Sequence, residues 1–426
     1  MTLQLPKGTR DFSREEKILR DTIVNTLKEV FELYGYSPLE TPILERFDIL
    51  ASKYAGGAEI LKETFKLNDQ GGRELGLRYD LTVPFARFVG MNPNIKMPFK
   101  RYQIGEVFRD GPVASARYRQ FTQCDVDVVG SPSMAIDAEI VDLVYTAFSK
   151  LNIEVAVKFN NRKLLNDILN YYGVDEYKQE SVILSIDKLE KFGSNVVRNE
   201  LKEQRMEDSK INKIIDIINI KGDNYEKINQ LKKILKESNG LKEIEQLIGY
   251  LENLEIKSHF DVSLARGLSY YTGTVFETLL KNSDIKSAVC GGGRYDNMIG
   301  NFLGKSICPA VGISFGVDRI YDALSEKLKA IRKTNTQVYI IPIKTINESA
   351  KIAQQLRDAG INTDIDLMER SPSRNLEFAN SLDIHYVIFV GKKELEKNKV
   401  KLRDMESGKE ELLKVDEVIA SLKISK

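Results

Sequence analysis

The stretch from Arg101 to Gly130 constrains the fold of this chain more than any other. Apolar and polar residues alternate up to Phe108, the alternation breaks at residues 110–112, and it resumes from Phe121. This pattern predicts two antiparallel strands joined by a loop. Guanidinium groups around such a loop suit bidentate phosphate contacts, although charged turns are also common on solvent-exposed hairpins. The arginines that flank the loop are Arg109, Arg117 and Arg119.

Composition bounds the partners that the chain can have. At 426 residues it is long enough for two or three domains. Hydrophobic residues make up 42% and charged residues 29%, which is typical of a globular protein rather than a disordered or fibrous one. The formal net charge is only +1, so a site for a polyanion must be a local patch.

The scarce cysteines and histidines exclude several kinds of site. Cys124, Cys290 and Cys308 lie far apart without metal-ligand spacing or a disulfide framework, which indicates a reducing compartment. Only His259 and His385 are present, which argues against a histidine triad or a histidine-rich metal site. The first residues lack an apolar signal core, and no run approaches the ~18 apolar residues of a membrane span. The sequence therefore predicts a cytoplasmic protein without a membrane partner.

The N-terminal third alternates between helices and short strands. A helix begins at Ser13 and ends near Gly35, and the next segment predicts a strand closed by Pro42 and followed by a helix. A strand interrupted by proline lies at a sheet edge, which makes a dimer interface plausible there. A further strand precedes a helix at Pro84, so Asp80 and Thr82 fall at a strand end, where either ligand contacts or helix caps occur.

The middle of the chain changes character twice. After a helix over 134–151 and a strand over 153–159, residues 161–256 contain no proline and carry six helical patterns, which predicts a helical insertion. Those patterns cover 163–172, 187–192, 195–203, 210–218, 225–238 and 241–251. From Phe260 strands return, with Val262, Leu264 and Arg266 in alternation. A strand over 311–315 then leads through glycine into a helix with Arg319 in its first turn.

The C-terminal part predicts an independent domain. A charged linker covers about 325–336. Beyond it, apolar strands alternate with helices as a βαβαβ unit of the α/β type.

Five segments together resemble motifs of the class II aminoacyl-tRNA synthetases and, within that class, of the histidyl-tRNA synthetase family. YGYSPLETPILE is similar to the first class motif, residues 101–130 to the second, and AVGISFGVDRI to the third, in the order of the class. LARGLSYYTGTVFE and CGGGRYDNMIG resemble segments typical of the histidyl family. The resemblance covers essentially the whole chain, including a C-terminal domain similar to the anticodon-binding domain of the family.

The resemblance implies an α+β fold in which a class II antiparallel sheet is flanked by helices, with a helical insertion domain and a C-terminal α/β anticodon-binding domain. The catalytic domain would cover 1–160 and 257–325, the insertion 161–256, a linker 326–336 and the anticodon-binding domain 337–426. A homodimer would form through the first motif. The implied reaction activates L-histidine with ATP, releases pyrophosphate, and transfers histidine to the 3′ end of tRNA(His).

The resemblance also implies roles for individual residues. Arg109 would hold the α-phosphate of ATP and Arg117 the γ-phosphate, while Phe121 and Arg319 would enclose the adenine, and Arg109 and Arg266 would be catalytic. The residues implied for histidine are Asp80, Thr82 and Gln123 at its ammonium and carboxylate, Asp127 and Tyr271 at its imidazole, and Tyr270 and Gly292 beside them. Mg²⁺ would arrive with the triphosphate, so no protein metal ligands are expected. The insertion would clasp the tRNA acceptor arm.

Three departures and two alternatives accompany this hypothesis. Gly111 stands where the second motif usually has glutamate, Ala116 where glycine is frequent, and Ser269 where aspartate is usual. A non-catalytic histidine-binding regulatory subunit of ATP phosphoribosyltransferase, or an inactive synthetase paralogue, is the competing function. In the C-terminal domain Arg370 and Arg374 are candidates for anticodon contact, or else a solvated helix start.

Overall fold

The computed structural model describes residues 2–52, 61–113, 118–267, 270–283, 285, 287–304, 307–327 and 333–424. It contains two compact units. The first comprises Met1–Arg10 and Thr22–Lys327, and the second comprises Asp11–Asp21 and Leu328–Lys426.

The chain begins with the predicted long helix. It starts at Arg14 because Ser13 and Glu16 form a reciprocal cap, in which each side chain accepts a hydrogen bond from the other residue's backbone N–H. The predicted strand that follows is two short strands separated by a proline-containing loop. The elements up to the central hairpin are α1 (Arg14–Leu33), β1 (Ser37–Pro38), β2 (Leu44–Arg46), α2 (Phe47–Ser52), β3 (Lys66–Asn68), β4 (Glu74–Leu77) and α3 (Thr82–Met91).

The predicted hairpin forms the centre of the first unit. Strands β5 (Phe99–Phe108) and β6 (Gln120–Val129) pair antiparallel along their whole length, with Ile104 opposite Cys124. Helix α4 (Met134–Lys150) and strand β7 (Val155–Asn161) follow as the periodicity predicts.

Seven helices between Arg162 and Asn253 agree with the predicted helical character of this region, with two corrections. Helix α6 was not predicted, because its apolar residues run together as Val182 and Ile183 and hide the helical period. The predicted helix over 225–238 ends at Ile234, because Ser238 caps the next helix by accepting from the N–H of Leu241. The helices are α5 (Arg162–Tyr171), α6 (Glu176–Ile186), α7 (Leu189–Phe192), α8 (Ser194–Glu203), α9 (Asp208–Ile218), α10 (Asn224–Ile234) and α11 (Asn239–Asn253).

The predicted strand through Val262, Leu264 and Arg266 is wrong. The carbonyls of Val262 and Leu264 accept hydrogen bonds from the side-chain amide of the buried Asn160, so they are not available to a neighbouring strand. The described residues of this segment form turns, and the strands lie on either side. The elements that close the first unit are β8 (His259–Phe260), β9 (Thr274–Leu280), β10 (Cys290–Arg294), α12 (Asp296–Phe302), β11 (Ala310–Gly316) and α13 (Val317–Lys327).

An eight-stranded, mostly antiparallel sheet organises the first unit. Its strand order is β1-β5-β6-β11-β10-β9-β7-β8, so β6 and β11 lie side by side inside the sheet and β1 lies at one edge. Strands β2, β4 and β3 form a separate small sheet. Helix α13 runs two residues into the predicted linker, and residues 328–332 lie outside the described residues.

The second unit contains a five-stranded mixed sheet with the order β13-β12-β14-β15-β16. The first three strands of this unit pair in parallel, as the βαβαβ prediction requires, whereas β16 and the last helix were not predicted. Its elements are β12 (Val338–Ile343), α14 (Ile346–Asp358), β13 (Thr363–Ile365), α15 (Pro372–Ser381), β14 (Tyr386–Gly391), α16 (Lys392–Leu395), β15 (Val400–Asp404), β16 (Glu410–Leu413) and α17 (Val415–Ile424).

Candidate active site

One face of strand β6 carries the polar side chains of the site. Gln123, Asp125 and Asp127 alternate along β6, so their side chains project to the same face of the sheet. Their partners in the neighbouring strand β11 are Gly316, Ser314 and Gly312. Because two of these three partners have no side chain, the sheet is open above this face.

Two cavities meet over this face. The smaller one has a volume of about 160 Å³ and is lined by three carboxylates, from Asp80, Asp125 and Asp127. The larger one has a volume of about 780 Å³ and is lined by Arg319, Lys191 and other residues. Both cavities are lined by Arg109, Gln123, Arg266, Gly291 and Ser314. An acidic cavity and a basic cavity therefore share one wall.

Asp127 lies in a buried ion pair. Its Oδ2 is 2.7 Å from Nη2 of Arg101, whose side chain is fully buried. The phenol of Tyr295 donates a hydrogen bond to the other carboxylate oxygen, Oδ1. The guanidinium of Arg101 also stacks on Phe85 at 4.2 Å from the ring centroid. Both oxygens of Asp127 are thus engaged by the protein itself.

Asp125 is a buried carboxylate with an open side. It is 4% exposed and lines the smaller cavity, and its Oδ1 makes no hydrogen bond to any described residue. Burial raises the pKa of Asp125 from its ordinary value to about 7, an effect that Arg101 opposes and that Asp127 reinforces. The hydroxyl of Ser314 lies directly across from it on β11.

Asp80 both caps a helix and lines a cavity. Its Oδ1 accepts hydrogen bonds from the backbone N–H groups of Thr82 and Val83 at 3.1 and 2.9 Å, which caps helix α3. Asp80 and Thr82 also line the smaller cavity. The cap therefore fixes the orientation of a carboxylate that faces the cavity.

Three arginines converge where the cavities meet. Burial lowers the pKa of Arg319, and the positive charges of Arg266 and Arg109 lower it further. The guanidinium of Arg109 lies 4.2 Å from the ring centroid of Tyr79 and 4.9 Å from that of Phe121. Mutual repulsion of three like charges in one place is costly unless an anion joins them.

Glycines in the sheet make room for these charged side chains. A Cβ at Gly291 would lie 2.3 Å from Nη1 of Arg266, and one at Gly312 would lie 1.9 Å from Oδ1 of Asp127. These glycines therefore let the site's own arginine and aspartate lie flat on the sheet.

The remaining predicted histidine contacts surround the smaller cavity. The amide of Gln123 donates to the hydroxyl of Ser314 at 3.0 Å. The rings of Tyr270 and Tyr271 pack with their centroids 4.7 Å apart, and Gly292 forms part of the wall.

The structure thus brings together eleven of the twelve predicted site residues, which are Asp80, Thr82, Arg109, Phe121, Gln123, Asp127, Arg266, Tyr270, Tyr271, Gly292 and Arg319. Arg117 lies outside the described residues, as do Ala116 and Ser269. Sequence reasoning missed Asp125, Ser314 and Tyr295. The period-two alternation with Gln123 and Asp127 was a signal that could have identified Asp125.

The space at Gly111 is filled by another part of the chain. A Cβ at this position would lie 2.7 Å from Oε1 of Glu63. The backbone carbonyl of Glu63 also accepts a hydrogen bond from the N–H of Asp110 at 2.6 Å. The glycine is therefore explained by close packing against the Glu63 carboxylate.

Among the described residues, no cluster of three or more histidine, cysteine or acidic side chains could hold a metal ion. No helix within the described ranges has the length and apolar composition needed to cross a bilayer. In the second unit Arg370 lies 3.4 Å from Asp366 and stacks on Phe378, whereas Arg374 is exposed.

Comparisons with known proteins agree on one family. Residues 8–320 match the family described as histidyl-tRNA synthetase, and residues 337–424 match an anticodon binding domain. The chain is 44% identical over 418 residues to a histidine–tRNA ligase 1 of Bacillus cereus, covering 96% of this chain and 97% of that protein. It is 38% identical to a histidine–tRNA ligase of Clostridium tetani, covering 98% and 97%. A crystal structure of histidyl-tRNA synthetase from Nostoc sp. PCC 7120 superimposes with a TM-score of 0.88 at 31% identity, with full coverage of both chains.

Proposed function

The chain belongs to the histidyl-tRNA synthetase family, and we propose that its two cavities activate L-histidine with ATP and transfer it to the 3′ end of tRNA(His). Its activity is that of a histidine–tRNA ligase. The site assignment rests on the residues that line both cavities. Arg109 and Arg266 line both the acidic cavity and the basic one, so they stand where an amino-acid carboxylate would meet a nucleotide phosphate.

The volumes and charges of the cavities match the two substrates. The smaller cavity suits an amino acid with a cationic ammonium group, because carboxylates line it. The larger cavity suits a nucleotide, because Arg319 and Arg109 supply positive charge beside the ring of Phe121. We assign Asp80, Thr82 and Gln123 to the ammonium and carboxylate of histidine.

The first step needs no general base. The histidine carboxylate is ionised at neutral pH and attacks the α-phosphorus of ATP in line, and pyrophosphate leaves. The barrier comes from bringing two anions together and from the charge that develops on the α-phosphate. Arg109 and Arg266, which line both cavities, neutralise that charge. Arg117, which would contact the γ-phosphate, stays a prediction from the sequence.

In the second step the terminal ribose hydroxyl of the tRNA attacks the carbonyl carbon of histidyl-adenylate. A phosphate oxygen of the adenylate accepts the hydroxyl proton, and AMP leaves with it. The variant Asp80→Asn tests this assignment by single-turnover transfer from preformed adenylate. If the variant binds substrates normally but loses transfer, Asp80 is the base and the phosphate is not.

Mg²⁺ would accompany ATP, neutralising part of the triphosphate charge, with its ligands supplied by phosphate oxygens and water rather than by the protein. Adenine would lie between Phe121 and Arg319. The exposed edge strand β1 and the neighbouring exposed Ile43 and Leu44 support a homodimer through this segment. Three buried free cysteines support a cytoplasmic, reducing location.

We assign tRNA contacts by domain. The catalytic domain covers 1–160 and 257–325, the helical insertion 161–256 contacts the acceptor arm, a linker covers 326–336, and residues 337–426 bind the anticodon. In this last domain Arg374 is the better candidate, because Arg370 is held by Asp366 and Phe378. A steep salt dependence of tRNA affinity that weakens in Arg374→Ala supports the contact, and an unchanged slope contradicts it.

The decisive experiment is histidine-dependent exchange of labelled pyrophosphate into ATP, followed by charging of tRNA(His). Both activities are expected. The absence of exchange would contradict the enzyme assignment and favour the regulatory-subunit alternative, which the anticodon-binding match disfavours. Exchange without charging would indicate a free-standing adenylating paralogue.

A further inference from the structure

The segment before helix α1 packs against the strand that returns from the hairpin loop. The carbonyl of Gly8 accepts hydrogen bonds from the backbone N–H groups of Arg119 and Gln120, at 2.8 and 3.4 Å. Gly8 has a φ of +83°, and a Cβ at this position would lie 2.7 Å from Cγ of Arg119. Any other residue would be strained here, so glycine lets the segment lie directly on the start of β6.

Arg10, in this segment, joins two sides of the larger cavity. Its Nη2 lies 2.6 Å from Oδ1 of Asp318 in helix α13, and its Nη1 donates to the hydroxyl of Tyr118, beside β6, at 3.1 Å. The guanidinium also lies over the ring of Tyr118, 4.4 Å from its centroid. Tyr118 and Asp318 line the larger cavity, whereas Arg10 is not among the described residues that line either cavity. Arg10 therefore acts on the cavity through the two side chains that it holds.

Asp318 extends this contact to both residues that are assigned to the adenine. Its Oδ2 accepts a hydrogen bond at 3.2 Å from the backbone N–H of Thr122, the residue after Phe121. Asp318 also directly precedes Arg319 in the first turn of α13. The side chain of Asp318 is 9% exposed and that of Arg10 is 23% exposed, so water screens this ion pair less than it screens a surface pair. One carboxylate thus connects Arg10 to Phe121 and to Arg319.

We propose that Arg10 is a positioning residue for ATP, which holds Phe121 and Arg319 at the separation that an adenine ring requires. This inference rests on the proposed function and deepens it by naming a residue outside the cavity on which nucleotide binding depends. A guanidinium suits this task, because its planar donors serve a carboxylate and a phenol at once while its face stacks on a ring. A lysine would supply the same charge at a single point.

The test compares Arg10→Ala and Arg10→Lys with wild type in the full-length chain. Calorimetry measures ATP binding in the absence of histidine, and pyrophosphate exchange gives KM for each substrate. Arg10→Ala is expected to weaken ATP binding and to raise KM for ATP by about 10- to 50-fold, because the displaced walls no longer fit the adenine. KM for histidine should stay unchanged. Arg10→Lys should recover only part of the loss, since it restores the charge but not the planar contacts.

Two further variants separate positioning from a general effect of charge. Lys7→Ala is the matched control, because Lys7 is an exposed cation in the same segment, and its loss should leave ATP binding and Tm unchanged. Asp318→Asn removes the charge that Arg10 contacts but keeps an oxygen for the N–H of Thr122. It should weaken ATP binding as Arg10→Ala does. The double variant should be little worse than either single variant, because both changes break the same contact.

Any of four results overturns the inference. These are normal ATP binding in Arg10→Ala, full recovery in Arg10→Lys, additive losses in the double variant, and an equal rise in KM for both substrates together with a lowered Tm. Absence of exchange in the wild-type protein would instead contradict the proposed function itself, and the calorimetry with ATP would still test the role of Arg10.

Discussion

The two cavities differ in how their charges are balanced. In the acidic cavity Asp127 has an arginine and a tyrosine as partners, and Asp80 caps a helix. In the basic cavity burial lowers the pKa of Arg319, and the positive charges of Arg266 and Arg109 lower it further, while Arg266 is 3.6 Å from the carboxylate of Glu277. Buried charges that have protein partners stabilise the fold, which we call balanced charges. Buried charges whose neighbours do not offset them, which we call unbalanced, are typical of ligand-binding sites. By this criterion Asp125 belongs with the arginines although it lies among the aspartates.

The largest expected effect tests the balanced pair. Asp127→Ala leaves the fully buried Arg101 without its partner, so we expect the free energy of unfolding to fall by about 3–5 kcal/mol. Urea titration followed by circular dichroism measures this loss. If stability is unchanged, the ion pair is not structural and the comparison between the cavities fails.

The next effect tests the unbalanced side. Arg266→Ala removes one of the two arginines that line both cavities, so pyrophosphate exchange should fall by about 10²- to 10³-fold, while Tm changes little. Exchange kinetics and differential scanning calorimetry provide the two readouts. Lys191→Ala is the matched control, because Lys191 is an exposed cation at the larger cavity and its loss should change exchange only slightly. If both variants lost exchange activity equally, Arg266 would contribute only general positive charge to the cavity.

A smaller effect tests how the sheet positions that arginine. In Gly291→Ala the new Cβ must displace the guanidinium of Arg266, so exchange should fall by about 10- to 100-fold although the flexible side chain can move aside. Kinetics of the purified variant measure this. In the control, Gly249→Ala, a helical glycine with open space around it is replaced, which should raise stability by about 0.5–1 kcal/mol without affecting exchange. Normal activity in Gly291→Ala would show that the arginine needs no such clearance.

The smallest expected effect is a pH dependence of Tm, which tests whether Asp125 is an unbalanced charge. Its pKa is about 7 in the folded protein against an ordinary 3.8, so the folded state binds the proton more tightly than the unfolded state. Its ionisation therefore destabilises the fold progressively as pH rises from about 4 to about 7. Asp125→Asn should raise Tm by a few degrees more at pH 8 than at pH 5. A Tm difference that does not change with pH would place Asp125 among the balanced groups.

At Gly111 the chain differs from the usual family motif, and the residue that explains the difference is distant in the sequence. The sequence marked this glycine as the position where the family usually has glutamate. The chain instead brings Glu63, which is 48 positions earlier, against the missing side chain. No local pattern relates these two residues, because strands β3 and β4 separate them in the chain.

The sequence by itself determined the hairpin, because period-two alternation is a local signal. The eleven predicted residues that line the cavities came instead from the resemblance of its motifs to a known family. The sequence also predicted the parallel strands of the second unit. It failed at residues 261–266, where Asn160 takes the backbone carbonyls, and at Asp125, whose neighbours on β5 and β11 come from distant segments. Only the tertiary structure decides which buried carboxylate has its partners and which lacks them, since that depends on contacts across strands rather than along the chain.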